Sequence, residues 1–311
     1  MIAYITHTNI SFIPIIGIRL LSVYLFYIIM YVKTDDGRTL YVDARVTGNK
    51  PVALFLHGYL ENGRIWGGAV RAIQDSCDYI VIDMRGYGYS KTFDILLSDL
   101  STLRYARDIN NVLNALKVSS LKFAVGHSFG GVVLQRWIGE YNKTGGVCKK
   151  IILLNTSIKT PTKIKSLLDP KNFKYAAMLD LQRSAVRNVI KASSYDTRYF
   201  TRSQFTSYWA NLLSASAPNL YDFVLSRRAC DLYDFLKYDL ANVATNISGM
   251  QVAYAYSDND EIINTDEATL LDSCYARNTN ITFTTTGLSN AGHVTMHRSD
   301  VLDMIRYAAL S

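Results

Sequence analysis

Apolar residues recur along this chain in short continuous runs. Between the runs they return every three or four positions. The runs Val52-Ala53-Leu54-Phe55-Leu56, Ile80-Val81-Ile82, Leu121-Lys122-Phe123-Ala124-Val125 and Val252-Ala253-Tyr254-Ala255-Tyr256 read as strands buried on both faces. The pattern predicts strands near 31–34, 39–46, 52–57, 79–84, 121–126, 150–156, 251–257 and 280–286. It predicts helices near 66–76, 99–117, 131–142, 265–276 and 296–309. In helix 99–117 the apolar positions Leu103, Ala106, Ile109, Val112, Leu113 and Leu116 keep helical spacing. Tyr31 to Val42 reads as an opening hairpin with a turn at Asp36-Gly37. Strands alternating with helices imply an α/β fold, with a mostly parallel sheet and helices on both faces.

Two stretches break the alternation. Residues 158–246 are long, aromatic and helical in pattern, and they lie between two core strands. They carry thirteen Lys/Arg against seven Asp. Arg183, Arg187 and Lys191 share one face there, with Met178, Leu181, Ala185 and Val189 on the other. Such a helix rests on an anionic membrane or presents a solvated face. The aromatics Tyr175, Tyr199, Phe205, Trp209 and Tyr233 fit the core of a subdomain. The second stretch is Ile10 to Met30, predominantly apolar, blemished by Pro14 and Arg19, and long enough to span a bilayer. Residues 1–30 therefore read as an N-terminal anchor, as a helix packed on the domain, or as an extension upstream of a start at Met30. An anchor would make the protein membrane-associated; otherwise a cytoplasmic location is expected.

The candidate chemistry starts at Gly126-His127-Ser128-Phe129-Gly130-Gly131. This is G-x-S-x-G between a predicted strand and a predicted helix. A serine there sits on a sharp turn, with small residues at 126 and 130 where backbones pass closely. The helix that follows aims its N-terminal amides at the site and favours developing negative charge. A nucleophilic serine needs a base and an orienting acid. Downstream, Ser257-Asp258-Asn259-Asp260 follows one strand and Gly292-His293 follows another. The chain order is serine, acid, histidine.

Taken with His57-Gly58-Tyr59 and Asp83-Met84-Arg85-Gly86-Tyr87-Gly88-Tyr89-Ser90, these motifs resemble the α/β-hydrolase superfamily. The similarity is to its serine esterase, haloperoxidase and epoxide-hydrolase-like branch, and it spans about residues 31 to 310. The resemblance implies a core of residues 31–157 and 247–311, with residues 158–246 as a helical lid. It implies Ser128 as nucleophile, His293 as base and Asp260 as acid. It also implies an oxyanion hole from the backbone N–H groups of Tyr59 and Phe129. Epoxide hydrolases and haloalkane dehalogenases of that branch use an aspartate where this chain has Ser128, which disfavours those two activities.

Alternatives stay open at three positions. Asp258 competes with Asp260, because Ser257 stands where the family usually has glycine. His297 competes with His293, although it falls inside a predicted helix. The two histidines also have the spacing of a helical metal pair, but no H-E-x-x-H motif accompanies them, so no metal and no cofactor are expected. His57, His127, Asp83 and Arg85 read as structural. Cysteines 77, 148, 230 and 274 are scattered, without zinc or redox spacing. A net charge of +7 comes with no signature of nucleic-acid binding. With 311 residues, 49% of them hydrophobic, the chain can bury one sizeable core. The expected function is a serine hydrolase acting on a small-molecule ester or acyl-lipid substrate. The alternatives are a ligand-binding receptor on the same fold, or peptidase or haloperoxidase activity.

Overall fold

The computed structural model describes residues 2–6, 9–13, 28–59, 61–90, 101–162, 238–260 and 262–311. Among these residues, one sheet contains β1 (Ile2–Thr6), β2 (Asn9–Ile13), β3 (Ile28–Lys33), β4 (Thr39–Arg45), β5 (Val52–Leu56), β6 (Asp78–Ile82), β7 (Phe123–His127), β8 (Lys150–Leu154), β9 (Gln251–Ser257) and β10 (Thr282–Leu288). The spatial order is β10-β9-β8-β7-β5-β6-β4-β3-β1-β2. From β6 across to β10 every neighbouring pair is parallel. β4 is antiparallel to both β3 and β6. The helices are α1 (Gly67–Ile73), α2 (Thr102–Ala115), α3 (Phe129–Tyr141), α4 (Ala241–Asn246), α5 (Thr265–Ala276) and α6 (Ser299–Leu310). The predicted α/β architecture is the one observed.

The central strands are largely apolar because helices cover both faces of the sheet. Successive side chains point to opposite sides. Leu54, Leu56, Ile80, Ile82, Ala124 and Leu153 therefore meet α2, α3 and α5 through Ile109, Val112, Val133, Trp137 and Leu271. Ala53, Phe55, Tyr79, Val81, Phe123 and Val125 meet α1 and α6 through Val70, Ile73, Val301 and Ile305. Helix α5 begins where it does because Asn264 and Glu267 form a reciprocal cap. The carboxyl ends of the parallel strands β5 to β10 share one edge of this core, the edge at which such sheets place their sites.

At its described ends the apolar N-terminal run is strand rather than helix. Both described ends of the apolar run 10–30 are strands, Asn9–Ile13 within β2 and Ile28–Met30 within β3. β1 pairs in parallel with β3, and β2 pairs with β1. The described part of the run therefore does not form one spanning or packed helix. None of the described helices is long and apolar enough to cross a membrane. A continuous apolar run does not distinguish strand from helix, and the β-branched and aromatic residues here suit pairing onto the sheet. The basic face at Arg183, Arg187 and Lys191 and the aromatics of that insert lie outside the described residues. The insert's two ends are described, and they are tied together. Leu240 N donates to Ile158 O (2.9 Å), and Thr160 N donates to Tyr238 O (3.1 Å).

The hairpin of β3 and β4 turns at Asp36-Gly37, with Gly37 at φ +81. Its turn is held by a buried guanidinium. Arg85 donates to both carboxylate oxygens of Asp108 on α2 (2.7 and 2.8 Å) and to Asp36 Oδ2 (2.8 Å). Arg104 joins the same network through Asp108 and through a close ion pair with Asp35. Asp83 caps two further loop amides, Gly63 N at 2.7 Å and Tyr89 N at 2.8 Å. Arg85 and Asp83 thus brace loops. Removing one partner of a buried pair leaves an uncompensated charge. Asp108→Ala should lower unfolding stability by about 3–5 kcal/mol, read from denaturant titration.

Candidate active site

Ser128 stands between β7 and α3 with φ +49 and ψ −119. A side chain rarely adopts this conformation, so the surrounding packing must impose it. Ser128 N donates to Leu154 O of β8 (2.9 Å), and the Thr156 hydroxyl donates to Ser128 O (2.7 Å). The three glycines explain how the turn fits. A Cβ at Gly126 would lie 2.6 Å from Gly130 O, and one at Gly131 would lie 2.6 Å from Thr156 Cβ. A Cβ at Gly130 would collide with the carbonyl oxygens of Leu56 and His57. The turn throws the serine side chain out of the sheet edge, with the N-terminal end of α3 beside it.

His293 and Asp260 arrive from other strand ends. His293 lies in the loop between β10 and α6, and Asp260 in the loop after β9. His293 Nε2 is 2.8 Å from Ser128 Oγ, and His293 Nδ1 is 2.8 Å from Asp260 Oδ2. The Asp260 carboxylate is buried, and four donors saturate it. Oδ1 accepts from the backbone N–H groups of Ile262 and Ile263, and Oδ2 accepts from Asn155 Nδ2 as well as from His293. Burial acts to raise its pKa, but the His293 ring and these donors outweigh burial and hold it below the ordinary value. Asp258 is exposed and does something else, accepting from Asn290 N and Ala291 N. It folds the loop that carries His293. His297 lies in the turn before α6 rather than inside a helix. The helical metal-pair geometry is therefore absent there, and both ring nitrogens of His293 are already engaged. Among the described residues no group of three or more metal-ligating side chains converges.

A serine on a strained strand–helix turn, joined to a histidine and a buried aspartate, can activate a hydroxyl. A family model for the alpha/beta hydrolase fold matches residues 51–215. The chain belongs to the α/β-hydrolase fold family. Solved structures place this hydrolase-fold chain beside an esterase from Exiguobacterium antarcticum, with TM-score 0.68 and 17% identity over 90% of this chain and 99% of that one. A bromoperoxidase from Bacillus anthracis is similar at TM-score 0.65 and 17% identity, covering 90% and 99%. At such identity the likeness is one of fold. Curated relatives include mouse epoxide hydrolase 3, 39% identical over 77 residues, which are 22% of this chain and 21% of that protein. Another is non-heme chloroperoxidase CPO-A1 from Kitasatospora aureofaciens, 34% identical over 124 residues, which are 39% and 41% of the two chains. The chain thus matches between about a fifth and two fifths of the length of these relatives.

On the other side of Ser128, this α/β-hydrolase-fold chain brings the loop after β5. A Cβ at Gly58 would lie 3.1 Å from Ser128 Cβ, so the backbone leading to Tyr59 presses on the turn. His57 anchors that loop. Its Nδ1 donates to Gly58 O (2.8 Å), and its Nε2 accepts from Met84 N (2.9 Å). Burial lowers the pKa of this ring, in keeping with the neutral form that such bonds need. Three residues went unnoticed in the sequence. Asn155, at φ +43, donates to Ser257 Oγ, Asp260 Oδ2 and Gly292 O. Thr156 holds the serine carbonyl, and the buried Glu61 accepts from Gly58 N (2.6 Å). An asparagine directly after a buried strand, where a left-handed turn is tolerated, was the signal available for Asn155. For Gly130→Ala, the new methyl meets backbone rather than a yielding side chain. Unfolding stability should drop by about 3 kcal/mol, measured as a shift in the denaturation midpoint.

Proposed function

We propose that this protein is a serine hydrolase that cleaves a carboxylic ester through an acyl-enzyme. The observation that carries the reading is the continuous hydrogen-bonded chain Ser128 Oγ–His293–Asp260, 2.8 Å at each link. In this reading Asp260 accepts from Nδ1–H and fixes the tautomer, leaving the Nε2 lone pair facing the serine hydroxyl. Ser128 Oγ attacks the ester carbonyl carbon as its proton passes to His293 Nε2. The carbonyl oxygen becomes an oxyanion, stabilised by the backbone N–H groups of Tyr59 and Phe129. His293 then gives the proton to the departing alcohol. Water, deprotonated by the same nitrogen, attacks the acyl carbon and releases the acid and Ser128.

The close approach of Gly58 to Ser128 supports Tyr59 as an oxyanion donor. Phe129 is the first residue of α3, where backbone N–H groups face the helix N-terminus. Residues 158–246 are proposed as the lid. Their paired ends leave the core just after Thr156, which itself touches Ser128. The proposed substrate is a small-molecule ester or an acyl lipid. A serine at the elbow, rather than a carboxylate, supports ester cleavage over epoxide opening, the reaction named for one relative.

Labelling with a fluorophosphonate probe, followed by a chain-length series of p-nitrophenyl esters, tests the reading. Ser128→Ala should abolish labelling and lower kcat on the order of a thousandfold or more, with the fold intact by circular dichroism. Labelling that persists at another serine would overturn the assignment. Asp260→Asn should damage turnover far more than Asp258→Asn, since the amide leaves the imidazolium unsupported. A dead Asp258 variant beside an active Asp260 variant would transfer the acid's role.

A further inference from the structure

Glu61 and His127 are buried beside the site, and the mechanism above uses neither. Glu61 is 4% exposed and His127 is 0% exposed. Glu61 Oε2 accepts from Gly58 N (2.6 Å) and lies 3.0 Å from His127 Nδ1. The other ring nitrogen, Nε2, lies 2.8 Å from the backbone carbonyl oxygen of His293. A carbonyl oxygen and an ionised carboxylate can only accept. With such neighbours, both ring nitrogens must carry protons. The amide of Gly58, donated to the same Glu61 oxygen, favours the ionised carboxylate.

We infer that Glu61 and His127 are positioning residues: a buried ion pair that clamps the loop of Gly58 and Tyr59 to the loop carrying His293. This rests on the serine-hydrolase reading above, because those two loops supply its oxyanion donor and its base. The clamp runs through the residue next to the nucleophile, so one ring fixes three parts of the site relative to one another. Charge-assisted bonds of this kind are shorter and stiffer than neutral ones.

The clamp depends on pH. Besides Glu61, the charged and titratable groups facing His127 are Asp260, His57, His293 and His297. Burial opposes a charge on His127, but the Glu61 carboxylate outweighs it and raises the ring above the ordinary histidine value. His297, by contrast, is pushed down to about 4 by burial and by Arg298 and His127. The folded pKa of His127 is raised, so its stabilising contribution is full below the unfolded value of about 6.5. It is lost as pH rises through the folded value. Deprotonation then turns a lone pair toward an acceptor and loosens the clamp.

The test combines a spectrum with kinetics on the full chain. In protein labelled with 15N-histidine, and with His127→Phe to assign the ring, both His127 nitrogens should show imidazolium shifts at about pH 7.5, where an unperturbed histidine is mostly neutral. Wild-type kcat should fall at alkaline pH as that signature disappears. Glu61→Gln keeps the shape but leaves His127 neutral. Its kcat at neutral pH should fall about tenfold, with KM little changed, and its alkaline limb should vanish. His127→Phe, which loses both bonds, should lose kcat on the order of a hundredfold. A neutral His127 ring in the wild type overturns the ion pair, and His127→Gln assigns the ring where His127→Phe does not fold. Glu61→Gln with wild-type kcat and a wild-type alkaline limb overturns its positioning role. Absence of fluorophosphonate labelling in the wild type would instead overturn the serine-hydrolase reading, leaving the ring's charge to be decided by the spectrum.

Discussion

Everything at this site depends on one close approach of backbones. The Ser128 turn holds a strained φ because β5, β7 and β8 converge on it and leave no room for side chains at Gly126, Gly130 and Gly131. Strain of this kind costs on the order of 1–3 kcal/mol and persists only where surroundings over-determine it. Here the surroundings are the two interlocked cores. Leu154 O receives the Ser128 amide, and Leu56 O lies against Gly130. Both residues end strands that are buried at every position but Lys150. Folding the sheet and forming the turn are therefore one event.

Around that turn the polar groups form two chains. One runs from Ser128 through His293 to Asp260, and Asn155 and the amides of Ile262 and Ile263 complete the carboxylate. The other runs from Gly58 through Glu61 and His127 to the His293 carbonyl. The two meet at His293, the first at its ring and the second at its backbone. Buried polar groups are costly unless satisfied, and full satisfaction makes such networks rigid. That rigidity is what preorganised catalysis requires, since donors must already stand where charge will develop.

The sequence alone determined the α/β architecture and the serine turn at the centre of the proposed chemistry. Apolar runs of strand length alternating with helical spacing dictate a doubly covered sheet, because only burial on both faces makes every strand position apolar. Gly126, Gly130 and the serine between them are local features, legible because backbone sterics act over a few residues. Tertiary structure decided what depends on distance across the chain. Asp260 and Asp258 are two residues apart and chemically alike, and only the meeting of the β9 and β10 loops sends one to His293 and the other to the amides of Asn290 and Ala291. Asn155 and Glu61 gain their places from partners 105 and 66 residues away. The N-terminal run shows the same limit. Its composition suits a helix or a strand, and pairing with β1 decides for strand at the first described end, pairing with β1 and β4 at the second. Pairing is a property of the neighbour as much as of the segment, so no pattern within the segment could reveal it.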